Sequence, residues 1–138
     1  MKLQVDFSEI IKMVSKKYGK QLIFRHVDEK VATLGTVMDL GLFSKEIAID
    51  MRVERLVDGK DLVLSCVNKS VGGVLGVLLP VFKGFLSGDS GHVVEDDGNG
   101  NIIVHLKEIK SLNKFLDKAT LQDLSFVKEG PVVTFAMK

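Results

Sequence analysis

Leu3, Val5 and Phe7 alternate with Lys2, Gln4 and Asp6, a period of two that predicts a short, half-buried strand. Ser8 then stands at a helix N-cap position. Ile10, Ile11, Val14 and Tyr18 recur at helical spacing, and Gly19 stands where a left-handed terminating residue belongs. The stretch from Gln21 to Lys45 has apolar runs, Gly35 and Gly41 but no clean period, and only one or two strands with irregular connections are expected there.

From Glu46 to Glu54 apolar and polar residues alternate strictly. Asp58-Gly59 follows as a hairpin turn, because both residues tolerate positive φ, and Leu62, Leu64 and Cys66 mark the return strand. A helix-like segment covers 70–86. A second hairpin has His92–Glu95 as one arm, a turn within Asp96-Asp97-Gly98-Asn99-Gly100, and Ile102, Val104 and Leu106 on the other arm. A further helix is predicted over Ile109–Lys118, with Ile109, Leu112, Phe115 and Leu116 as its apolar positions. Leu124, Phe126, the turn Glu129-Gly130-Pro131, and Val133, Phe135 and Met137 close the chain as a third hairpin.

This hairpin–helix alternation predicts an α+β fold. The expectation is a single antiparallel, curved sheet of roughly six to eight strands built from β-hairpins. Two to three helices would pack on one face of it or inside its curvature. No Pro- or Gly-rich linker interrupts the chain, so residues 1–138 are expected to form a single domain.

The segment Val71–Leu86 is the most unusual. As a helix it sets Gly72, Gly76, Pro80 and Gly84 on one face at steps of four, with Val74, Leu75, Leu78, Phe82 and Phe85 over most of the rest. Gly72, Gly76 and Gly84 cost about 1 kcal/mol each and Pro80 about 3 kcal/mol against an alanine helix. Burial must offset that cost. Close packing of a glycine-striped backbone is one explanation. A second is a deformable wall, formed by Val74, Leu75, Leu78, Phe82 and Phe85, around a lipid-like ligand, and a third is dipping into a membrane surface or making a homo-oligomer contact. Lys107, Lys110, Lys114 and Lys118 form a basic stripe along the second predicted helix. They could face an anionic headgroup, an anionic membrane or an acidic partner, or form an ordinary solvated face.

Other signals are weaker. Asp97, Asn99, Asn101 and Glu108 match calcium-loop spacing, but Ile102 occupies the position that needs glycine. Gly88-Asp89-Ser90-Gly91 echoes a serine-protease motif in a chain too short for that scaffold. His92 and His105 lie on facing arms of the second hairpin, where they read as a solvated polar pair. With Glu95 and Asp97 they are the scattered polar groups an enzyme reading would have to use. No catalytic motif, metal site, phosphate loop or cofactor fingerprint is found.

Charge narrows the partners. The 138 residues carry 19 basic and 18 acidic side chains, a net charge of +1, so nucleic-acid binding is not expected. A 46% apolar and 27% charged composition is that of a globular protein. A lone cysteine, Cys66, excludes an internal disulfide and reads as a small buried hydrophobe. The N-terminus has no basic-then-apolar signal pattern, and the uncharged run between Lys69 and Lys83 falls short of the roughly 20 residues a membrane span needs. A cytoplasmic location is expected.

Antiparallel hairpins around an apolar helix resemble, in architecture, tubular lipid-binding proteins and similar lipid carriers. The resemblance implies non-enzymatic binding of an apolar or amphipathic small molecule. The alternatives are a homo-oligomeric structural or interaction module and a small enzyme without a recognisable motif.

Overall fold

The computed structural model describes residues 1–19, 21–67, 94–96, 101–108 and 110–138. Within these the protein is α+β and mostly antiparallel. The elements are β1 (Lys2–Gln4), α1 (Phe7–Tyr18), β2 (Leu22–His26), β3 (Val31–Asp39), β4 (Ser44–Val57), β5 (Asp61–Cys66), β6 (Val94–Asp96), β7 (Asn101–His105), a single 3-10 turn (Leu106–Glu108), α2 (Lys110–Lys118), β8 (Ala119–Val127) and β9 (Gly130–Met137).

The described strands do not form the single sheet that the pattern predicts. They divide into a six-stranded sheet, ordered β2-β3-β4-β5-β7-β6, and a three-stranded sheet, ordered β1-β9-β8. The cause is a long-range pairing. The N-terminal β1 adds to the C-terminal β9, with Leu3 opposite Val133, and gives the last hairpin a sheet of its own.

Local chemistry accounts for most elements. The β4–β5 turn places Asp58 at φ 54° and Gly59 at φ 67°, the paired positive values that a tight hairpin requires. Helix α1 ends where Gly19 turns left-handed and donates its N–H to the Ser15 carbonyl. Two expectations change at its start. Asp6 rather than Ser8 is the N-cap, and β1 stops at Gln4, so Phe7 opens the helix instead of closing the strand. The chain bends there because the Val5 and Phe7 N–H groups bond to the Pro131 and Glu129 carbonyls of the last hairpin, at 3.1 and 2.9 Å. The region 21–45 resolves into β2, β3 and the start of β4. Leu106 begins the 3-10 turn instead of extending β7.

The core lies between the sheets. Ala32, Ile49, Met51, Val53, Leu62, Val104 and Ile102 form one buried face of the larger sheet, and Phe126 of β8 joins the same cluster. Phe24 sits edge-on between Phe7 and Phe126, with ring centroids 4.7 and 6.1 Å away. One aromatic row thus links α1, the large sheet and the small sheet. Cys66 lines this core only partly buried, with its sulfur 3.8 Å from Met51 Sδ.

Candidate functional site

Two β-bulges shape a cavity beside the core. In β4 the pairing shifts between Val53 and Arg55, and in β8 between Leu121 and Asp123. An added residue reverses the alternation beyond it. In β4 this puts Leu56, opposite Leu62, on the same face as Val53. A strict period of two would have put Arg55 there. In β8 it puts Leu121 and Leu124 on one face, opposite Phe135 and Val133.

These side chains line a partly open cavity of about 230 Å³. Leu56 and Leu62 form the wall on the large sheet, and Leu121, Leu124, Val133 and Phe135 form the wall on the small sheet. Leu106, Phe115 and Leu116 close it from the 3-10 turn and α2. Leu116 is buried, whereas Leu3 and Phe115 stay exposed at the rim, where Phe115 meets Phe135 edge-on at 5.2 Å. Among the described residues Asp123 is the only charged one in the lining, and Lys30 takes up its carboxylate in an ion pair. The other described lining residues present hydrocarbon.

The segment 71–86, with the predicted wall residues Val74, Leu75, Leu78, Phe82 and Phe85, lies outside the described residues, as do the loop 88–91, His92, Asp97 and Asn99. The basic stripe is described in part. Lys110 opens α2, and Lys114 and Lys118 are exposed along it. Lys107 does not belong to that helix. It sits on the 3-10 turn, where its ammonium lies 3.6 Å from the Asp117 carboxylate. The helix predicted over Ile109–Lys118 is present as α2, and only the placement of Lys107 on its stripe fails, because 106–108 form a 3-10 turn.

A polar trio lies on the opposite face of the large sheet. His105 Nδ1 is 2.9 Å from Asp61 Oδ1, its cross-strand partner, and Nε2 is 3.4 Å from Glu95 Oε2. The hydrogen bond to Asp61 raises the His105 pKa above its ordinary value. Partial burial opposes the shift, and Glu95 reinforces it. His105 is therefore held between two acids. Asp61 was invisible to sequence reasoning because its place depends on how β5 registers on β7. None of the trio lines the cavity. Among the described residues, no group of three or more His, Cys, Asp or Glu side chains is arranged to hold a metal ion, and no helix is long and apolar enough to cross a membrane.

Comparison with protein-family models, curated proteins and solved structures finds no match for this chain.

Proposed function

We propose that this protein binds an apolar or amphipathic small molecule in the cavity between its two sheets, without chemical conversion. The observation that carries this reading is the hydrocarbon lining of a cavity whose one acid is already paired. An empty apolar cavity forfeits dispersion contacts, which an apolar guest restores. The volume limits the guest. It exceeds the roughly 150 Å³ that holds a benzene and falls short of the roughly 300 Å³ at which sites for drug-sized ligands begin. A short alkyl chain or a single ring fits that range. A charged headgroup would remain at the rim by Leu3 and Phe115, with Lys114 and Lys118 on the helix that carries Phe115.

Mass spectrometry of detergent-free protein, native against denatured, tests the reading directly. A stoichiometric adduct of lipid-like mass, reduced when Leu124→Phe fills the cavity, is the expected result. A bare monomer that also takes up no medium-chain fatty acid in titration would end it. A bare dimer mass would make self-association the leading function.

A further inference from the structure

The small sheet lays a row of hydrocarbon across all of its strands. Leu3 of β1 stands opposite Val133 of β9, and Val133 stands opposite Leu124 of β8. All three line the cavity. Phe135 and Leu121, also paired, form a second row beside the first. The β8 bulge completes the first row. Without the shift between Leu121 and Asp123, the residue opposite Val133 would be Asp123, and a carboxylate would stand where Leu124 stands.

The row has two unlike ends. Leu124 packs against the buried core cluster, as does Leu56 on the large-sheet wall. That end is tied shut. The Lys30 ammonium donates to the Leu124 carbonyl at 3.0 Å, and the Phe126 N–H donates to the Glu29 carbonyl at 2.7 Å, which fastens β8 to the β2–β3 turn. Leu3, at the other end, is 56% exposed on the outermost described strand of its sheet. The cavity therefore runs from a closed end at Leu124 to a mouth at Leu3, where Phe115 is also exposed.

We infer that the guest is a straight alkyl chain of about eight or nine carbons, lying along this row with its methyl end at Leu124 and its polar end in water at Leu3. The inference rests on the cavity-binding reading and adds the length, shape and direction of the guest. Two measures of length agree. Neighbouring strands lie about 4.8 Å apart, so a row across three strands is about 10 Å long. An extended chain gains about 3.6 Å for every three bonds, which sets about eight bonds along the row. A site of roughly 150 Å³ takes the six carbons of a benzene, about 25 Å³ apiece, so about 230 Å³ takes about nine. A single ring covers part of the row and leaves the rest without dispersion partners. A polar end stays outside, because the described lining presents hydrocarbon and its one acid is already paired.

Titration calorimetry with straight-chain carboxylates from pentanoate to dodecanoate tests it. Affinity should rise about fourfold with each added methylene and level off at about eight or nine carbons, because later carbons remain in water. Leu124→Phe, which fills the closed end, should move that break to a chain about one or two carbons shorter. Cyclohexylacetate, with as many carbons as octanoate, should bind about tenfold more weakly. In the octanoate complex, nuclear Overhauser contacts should join the terminal methyl to Leu124 and the methylene beside the carboxylate to Leu3. Affinity that keeps rising through dodecanoate, a break that Leu124→Phe leaves in place, a ring that binds as well as the chain, or reversed contacts would each overturn the inference and leave cavity binding intact. Failure of the whole series and of cyclohexylacetate to bind would overturn it together with the reading on which it rests.

Discussion

Lys30 is bonded to Asp123 across the two sheets: its ammonium donates to the Asp123 carboxylate and, at 3.0 Å, to the Leu124 carbonyl. The same junction is reinforced from the backbone, where the Phe126 N–H donates to the Glu29 carbonyl at 2.7 Å. The β2–β3 turn is thus fastened to β8 at the bulge that shapes the cavity.

Both partners remain more than a third exposed, at 37% and 49%, so solvent screening keeps the ion pair modest. Lys30→Met is expected to cost about 1 kcal/mol, part of it from the orphaned Leu124 carbonyl. A urea-denaturation cycle combining Lys30→Met with Asp123→Asn measures the coupling. Additive effects would show that the pair does not hold the sheets together.

The cavity makes opposite predictions for opposite changes in size. Leu116→Ala removes a buried side chain beside an existing void and should cost about 2–5 kcal/mol. Leu124→Phe places a ring in that space and should raise stability by about 0.5–2 kcal/mol. Thermal melting distinguishes the two. A destabilised Leu124→Phe protein would mean that the space is already filled by packing.

Two glycines should respond to alanine for different reasons. A Cβ on Gly130 would run into the Val5 carbonyl oxygen and lie 3.0 Å from the Phe7 nitrogen. Those atoms are backbone and cannot swing away. Gly130→Ala should therefore cost about 1–3 kcal/mol and loosen the entry to α1. At Gly19 a Cβ meets nothing, and Gly19→Ala should cost only about 1 kcal/mol of left-handed strain. Chemical denaturation of each variant, with amide exchange of Val5 and Phe7, checks the order.

His105 makes stability depend on pH. Its folded pKa lies above the ordinary 6.5, chiefly because Asp61 favours the charged ring. The folded state then binds the proton more tightly than the unfolded chain does. The stabilisation is complete below the ordinary value and is lost as pH rises through the raised folded value. Denaturant midpoints across that window should fall with rising pH in the wild type and flatten in His105→Gln. Equal slopes in both proteins would assign the dependence to other groups.

Features set by neighbours in the chain were legible in the amino-acid sequence. Alternation from Glu46 to Glu54 announced β4, Asp58-Gly59 announced its turn, and Gly19 announced the end of α1. Side-chain period and positive φ are local properties, so a few adjacent residues specify them. The cavity was not legible, because it depends on extra residues that shift β4 and β8 out of alternation and on Leu56 meeting Leu124 from distant parts of the chain. The trio around His105 likewise required Asp61 and Glu95 to arrive from separate strands.

The sequence by itself therefore determined the alternation of β4, its turn at Asp58-Gly59 and the left-handed end of α1 at Gly19. Only the tertiary structure decided that β1 would pair with β9 and split the strands into two sheets. The reason is physical. A hydrophobic stripe records that a face must leave water, but burial is non-directional, so the stripe does not record which distant surface will cover it.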